Sequence, residues 1–347
     1  MSADEQTDSR DRSPDSRESL FSGNIPIEKF RDNRTCLSTL EPLAEPALYS
    51  DRAGRRLFGE RVQPVLDFTT ADFERLAEIQ INRRMAVTGV QRKISLGLAK
   101  NRQASSRLTF LEHTGTHILQ PPIEMVPEMP QVEHTTMRLA ESVGFQVPPC
   151  GLIPLKNGDL AFIIRRFDRE KKKKIPVEDL CQLSGKPTEQ KYKASLEATA
   201  NVIRKYSGVP GDDLLTFFEL NLFCFITGNA DMHLKNFSIW KDPRSDLSRL
   251  APVYDLLSTR LLMSEKEDPE ETALSLNGKK ANLKLDDFKA FARNLEIPGN
   301  VFERVRREYT DRQKSFEDLI EKSFLSERKK EGFKALIRER LSRLKDG

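Results

Sequence analysis

The period of the apolar positions changes part-way along the chain. Residues 1–25, MSADEQTDSRDRSPDSRESLFSGNI, have almost no apolar pattern and read as a disordered tail. From Glu28 to Asp67 the pattern is mixed and favours no element. TADFERLAEIQINRR (70–84) sets Phe73, Leu76, Ile79 and Ile81 near helical spacing, which predicts a short helix. MAVTGVQRKISLGLAK (85–100) instead alternates around a glycine, with Ile94, Leu96 and Leu98 on one face, the pattern of a strand, a turn and a strand. THILQPP (116–122) is a short strand stopped by two prolines, and VEHTTMRLAESVGF (132–145) is helical with Gly144 near its end. LAFIIRRFDRE (160–170) begins as a buried strand and ends charged. Beyond it the period is mostly helical, over 177–184, 191–206, 212–228 and much of 286–345. Strands early and helices late predict an α+β chain of two lobes, a small β-rich N-lobe over 26–165 and a larger helical C-lobe over 166–347.

Composition narrows the class. Of the 347 residues 37% are apolar and 32% charged, enough for a sizeable core under a highly charged surface. The apolar runs are too short for a membrane span. The first thirty residues have no apolar core segment, so they do not form a secretory signal. A net charge of +4 is small for this length and does not argue for nucleic-acid binding. Cys36, Cys150, Cys181 and Cys224 form no CxxC pair, which points to reduced thiols and a cytoplasmic protein. The run Lys171–Lys174 reads as a solvated loop between elements rather than a nucleic-acid patch.

The candidate chemistry is concentrated after one helix. DLLTFFELNLFCFITGNA is strongly apolar, with its helix ending at Gly228, and DMHLKN follows at once, so the catalytic loop is expected over 228–238. Asp231, His233, Lys235 and Asn236 therefore sit in a loop held by a buried helix, and FSIW returns to a strand-like stretch. Phosphoryl transfer needs this set: a carboxylate to orient the attacking hydroxyl, an amide oxygen for a metal ion and a cation for phosphate. A second carboxylate for the metal, Asp255, stands twenty-four residues on in LAPVYDLLSTR. Protein kinases order their catalytic loop and metal-binding Asp the same way, with the same Asp-to-Asn spacing of five. Asp231 alone would read as a capped turn. The ordered set of Asp231, Asn236 and Asp255 favours the catalytic reading. His233 fits packing against the loop as well as it fits catalysis. His113, His117, His134 and His233 have no spacing that makes a zinc site. Upstream, Gly89 permits close backbone approach to an anion, with Arg92 and Lys93 adding charge. A lone glycine in a hairpin is ordinarily a turn, and only its place upstream of the Asp–Asn–Asp set favours the phosphate role.

GNADMHLKNFS and APVYDLLS resemble the HipA family of serine/threonine kinase toxins from bacterial toxin–antitoxin systems. TGVQRK is similar to that family's glycine-rich loop, placed here in 85–98. THILQPP with VEHTTMRLAESVGFQVPP resembles the strand and helix after the loop, and FIIRRFDR resembles the hinge between lobes. VEDLCQLSGKPTEQKY and ETALSLNGKKANL resemble further family segments. The resemblance implies a two-lobed protein-kinase-like fold, ATP with magnesium, and a protein hydroxyl as acceptor, with aminoacyl-tRNA synthetases the targets known for family members. Asp231 is then the catalytic base, and Asn236 and Asp255 hold magnesium. Thr88, Gly89, Val90, Gln91, Arg92 and Lys93 cover the phosphates. Residues 233–236, with His233 and Lys235 among them, line the phosphate side, and Tyr254 is a further nucleotide-binding residue. Arg165, Arg166 and Phe167 meet adenine through backbone groups.

The chain departs from the family pattern in places. Gln120 stands where the family has a nucleotide-binding Lys, and Glu133, the partner of that Lys, is retained. Lys93 or Lys235 is a possible substitute for the missing cation. Little chain precedes Thr69 for the family's extra N-terminal subdomain. The chain thus resembles the short form, HipT, whose missing part is a separate small protein, HipS, encoded with a HipB-like DNA-binding antitoxin. Of the loop serines that such kinases autophosphorylate, the matching positions are Ala86 and Thr88, so only Thr88 can accept phosphate. Two functions from different classes stay open: an active kinase toxin, and a catalytically weak nucleotide-binding scaffold or regulator that Gln120 makes thinkable. A small-molecule kinase is disfavoured only by the resemblance.

Overall fold

The computed structural model describes residues 27–30, 32–61, 66, 68–72, 93–100, 106–110, 115–126, 128–170 and 173–345. The expected tail, most of the 70–84 helix, and the loop residues Ala86, Thr88, Gly89, Val90, Gln91 and Arg92 lie outside these.

The early strands form one antiparallel sheet. Its strands are β1 (Ile94–Lys100), β2 (Ser106–Phe110), β3 (His117–Gln120), β4 (Cys150–Pro154) and β5 (Leu160–Arg165), in the order β2-β1-β3-β5-β4. Pro121 and Pro122 follow β3 and cannot donate to a continued ladder. The alternation of β5 separates two cores. Ala161 and Ile163 face Leu57, Phe58 and Leu119, while Phe162 and Ile164 face the large core shared with the helices. Helix α1 (Asp51–Phe58), in the stretch where the sequence pattern favours nothing, starts at an Ser50 cap and packs its Leu57 and Phe58 under the sheet.

Helix α2 (Met129–Ser142) lies on β4 and β5 and is tied at both ends to the helical lobe. Ser326 donates its backbone N and Oγ to the Glu128 carboxylate, at 2.8 and 2.9 Å. Arg312 Nη1 donates to Ser142 O at 3.1 Å. Gly144, with φ +101°, ends the turn after α2.

The segment 177–184, expected to be helical, is instead the strand β8 (Val177–Asp179) followed by the single turn α3 (Leu180–Leu183). Pairing decides it: β8 bonds to β9 (Ser238–Lys241), which bonds to β10 (Ser248–Leu250). Asp179 then caps α3 in a reciprocal box with Gln182. The lysine run is also more regular than expected. β6 (Arg169–Glu170) and β7 (Lys173–Lys174) make a small hairpin, with Lys173 and Lys174 exposed as foreseen.

The remaining helices are α4 (Leu196–Tyr206), α5 (Pro210–Thr227), α6 (Leu285–Asn294), α7 (Gly299–Asp311), α8 (Gln313–Glu321) and α9 (Glu327–Ser342). α5 is apolar almost all round, and most of its side chains are buried, which places it at the centre of the lobe. The chain is thus α+β, with a small sheet-based lobe and a larger helical one. All four cysteines are free and buried. Among the described residues no helix is long and apolar enough to cross a membrane.

Candidate active site

The loop after α5 is fixed by its backbone. Gly228 adopts φ +68° and closes the helix by donating to Cys224 O and Phe225 O. A Cβ there would stand 2.7 Å from Leu336 Cδ2 and 2.8 Å from Arg260 Cβ, so glycine is required twice over. Asn229 Oδ1 accepts from the Asp231 N–H at 3.1 Å. Asn236 Nδ2 donates to Asp231 O at 2.9 Å, which binds the two ends of the five-residue interval together. From the other side, Thr259 Oγ1 accepts from Ala230 N at 3.0 Å and lies 3.2 Å from Gly228 O. The segment containing Asp255 is thereby stitched to the loop containing Asp231.

Each expected residue in the described part can now be placed. Asp231 is half-buried, and its Oδ1 accepts from Tyr192 Oη at 2.7 Å. Asp255 takes φ +62°, an uncommon conformation that Asp tolerates better than most residues. Its Oδ1 lies 2.6 Å from Lys93 Nζ. Lys235 is turned to Asp179 on β8, at 2.8 Å. Tyr254 is held by Ser238 Oγ at 2.6 Å and donates to Lys235 O at 3.1 Å. Its ring also packs on Phe167, with centroids 5.6 Å apart. Gln120 Nε2 donates to Glu133 Oε1 at 3.1 Å, and both residues are buried. At the hinge, the N–H groups of Arg165 and Arg166 donate to Pro149 O and Thr116 O, while the Arg166 side chain grips Asp168 through Nε and Nη2.

Electrostatics follow from this packing. Burial holds His233 below the ordinary imidazole range despite the nearby Asp231 carboxylate, so its ring is neutral, with a buried Nδ1 that has no hydrogen-bond partner. Burial, reinforced by the bond to Asp231, raises the Tyr192 phenol and keeps it a donor. Burial by itself would lower Lys93, but Asp255, then Glu133 and Asp231, outweigh it and hold the ammonium above the usual lysine range.

These residues fit a nucleotide-bound magnesium ion better than a metal held by protein alone. Among the described residues no three His, Cys, Asp or Glu side chains converge as a metal cage. Asp255 nevertheless already carries a cation, the Lys93 ammonium, and Asn236 has its amide nitrogen committed to Asp231 O. One carboxylate and one amide oxygen are hard donors of the kind magnesium uses when phosphate oxygens complete its shell.

Sequence reasoning missed Tyr192, Asp179, Asn229 and Thr259. Tyr192 lies in PTEQKY, within a segment singled out for its resemblance, but no spacing rule links it to a residue thirty-nine positions away.

Two lobes meeting at a carboxylate–amide loop are the architecture of the protein-kinase-like class. The family model for the HipA-like C-terminal domain matches residues 85–318. The chain belongs to that family. The kinase-named protein Y4mE of Sinorhizobium fredii is 35% identical over 186 residues, covering 51% of this chain and 43% of that protein. The chain thus spans less than half the length of that relative. A kinase-named protein of Haemophilus influenzae is 26% identical over 322 residues, covering 84% of this chain and 91% of its own. The serine/threonine-protein kinase toxin HipA of Shewanella oneidensis is 28% identical over 198 residues, covering 50% of this chain and 43% of the toxin. The solved complex of Shewanella oneidensis HipA and HipB with operator DNA superposes with a TM-score of 0.60 at 21% identity, covering 78% of this chain and 70% of that one. The likeness in structure is one of fold.

Proposed function

We propose that this protein is an ATP- and magnesium-dependent serine/threonine-protein kinase that acts as the toxin of a toxin–antitoxin system. The observation that carries the reading is the bond from Asn236 Nδ2 to Asp231 O, which ties a base candidate to a metal-ligand candidate, while Ala230 N and Thr259 Oγ1 join that loop to the segment carrying Asp255. Asp231 orients the acceptor hydroxyl and takes its proton. Asn236 and Asp255 would hold magnesium, which when bound would supply positive charge at the phosphate oxygens. Thr88 to Lys93 cover the phosphates. Neutral His233 and Lys235 line their side of the cleft, and Arg165 to Phe167 with Tyr254 frame the adenine end. Thr88 is the loop's autophosphorylation site in this reading.

The acceptor is a protein hydroxyl, with an aminoacyl-tRNA synthetase the first candidate. HipB accompanies HipA in the Shewanella complex, and a HipB-like DNA-binding antitoxin is the corresponding partner here. A HipS-like small protein belongs to the short-form reading. Gln120 on β3 favours a second reading, a nucleotide-binding regulator with weak catalysis.

The test is incubation with magnesium, γ-labelled ATP and cell extract. Discrete labelling of one protein by the wild type, absent with Asp231→Asn, supports the kinase. Equal labelling by both removes it.

A further inference from the structure

The antiparallel register of β1 and β3 pairs Ile94 with Leu119, Ser95 with Ile118 and Leu96 with His117. Lys93 immediately precedes β1, and the register carried one step further sets it opposite Gln120. Directly opposed residues of an antiparallel pair project from the same face of the sheet, with Cβ atoms within reach of each other's side chains. Gln120 is 3% exposed, and its amide nitrogen is spent on Glu133. Its Oε1 is buried without a hydrogen-bond partner. Lys93 is the neighbouring donor across the ladder, and its ammonium sits on Asp255 at 2.6 Å.

Protein kinases put a lysine on the third strand, where it pairs with a helix glutamate and grips the nucleotide phosphates. Here the strand and the glutamate are kept, and the charge is one strand over. We propose that Lys93 supplies the phosphate-binding cation from the start of β1, while Gln120 is a neutral spacer that holds Glu133 in place. This inference rests on the kinase reading above.

The geometry suits the exchange. The Lys93–Asp255 pair is partly exposed on both sides, so the bond is weakly held. Four rotatable bonds let the ammonium leave Asp255 for a phosphate oxygen without backbone movement. Lys235, the other candidate, pairs at 2.8 Å with Asp179 on β8, outside the five-stranded sheet that carries Gln120.

The test is a charge transplant read by nucleotide binding. Calorimetric titration with magnesium and ADP, and separately with a non-hydrolysable ATP analogue, compares the wild type, Lys93→Met, Lys93→Arg, Gln120→Lys and the double variant Lys93→Met/Gln120→Lys. Circular dichroism checks that each is folded. Loss of one charged hydrogen bond to phosphate weakens ATP-analogue binding by about tenfold or more in Lys93→Met. Lys93→Arg retains most of the affinity, and the double variant recovers it because the cation returns to β3 beside Glu133. Wild-type affinity in folded Lys93→Met overturns the inference and leaves the kinase reading standing. A double variant as weak as Lys93→Met also overturns it. A wild type that binds neither nucleotide removes the kinase reading and this inference together.

Discussion

Tyr192 Oη donates to Asp231 Oδ1 at 2.7 Å, and the same ring stands edge-on to His233 with centroids 5.0 Å apart. One side chain thus holds both the carboxylate and the imidazole of the loop. Tyr192 is 42% exposed, so its position reflects these contacts more than burial. Tyr192→Phe keeps the ring packing and removes only the hydroxyl. The expected result is a fall in kcat of roughly 10- to 150-fold, the range of one hydrogen bond to a charged group, with an unchanged KM for ATP. Steady-state kinetics at varied ATP decide it, and an altered KM with unchanged kcat would falsify the positioning role.

Asp231→Asn and Asp255→Asn are expected to separate. Both lower transfer by at least about 10²-fold, one through the base and the other through metal charge. Asp231→Asn keeps magnesium-dependent nucleotide binding, whereas Asp255→Asn loses the magnesium dependence. Neither unfolds the protein, since the Lys93–Asp255 pair is partly exposed and such pairs contribute about 0–1 kcal/mol. Titrations with and without magnesium, beside a labelled-phosphate assay, separate the roles. Identical behaviour of the two variants in the titrations sinks the assignment.

Gly228→Ala is expected to damage the site through the fold. The left-handed φ costs about 1–2 kcal/mol for a residue with a Cβ. The added methyl also meets Arg260 Cβ, and Arg260 cannot retreat easily because its guanidinium bonds Asp268 O at 2.6 Å and Glu270 O at 2.8 Å. Overpacking of this kind adds roughly 1–3 kcal/mol. A lower urea midpoint together with reduced activity is the expected outcome. Unchanged stability would mean that the turn after α5 relaxes freely.

Much of this site was legible because its parts are close in sequence. The apolar run of α5, its Gly228 stop and the Asp231–Asn236 interval need only local pattern, and Asp255 follows from the next apolar stretch. What was illegible depends on tertiary register. That the register, carried one step beyond Ile94, sets Lys93 opposite Gln120 follows only once β1 is paired with β3. That Lys235 turns to Asp179 requires β8, which the sequence pattern reads as helix, to be a strand beside β9. The 28–67 region shows no period because its contacts are long-range. Leu152 N donates to Leu37 O at 2.8 Å, and Tyr49 is bonded to Leu152 O.

The same long-range packing gives a prediction on pH. His117 Nε2 donates to Leu57 O at 2.8 Å, and His134 Nε2 donates to Ser38 O at 3.0 Å, so two buried histidines staple the N-terminal segment to β3 and α2. Burial pushes His117 down to about 4 and His134 down to about 3, against the backbone bonds that oppose it. Both rings are therefore neutral in the folded protein, whereas in the unfolded chain they protonate near pH 6.5. Their contribution is fully present above that pH and is lost as pH falls, because only the unfolded chain takes up the protons. Most unfolded-state carboxylates titrate below about pH 4.5, so the window from 6.5 to 5 belongs mainly to histidine. The expected loss across it is roughly 2 kcal/mol for each of the two residues. Urea unfolding at pH 8, 6.5, 5.75 and 5 measures this, with His117→Asn and His134→Asn as comparisons. Each variant is expected to be less stable at pH 8 yet to lose less on acidification. A variant that keeps the full wild-type slope shows that its histidine is not buried in the neutral form.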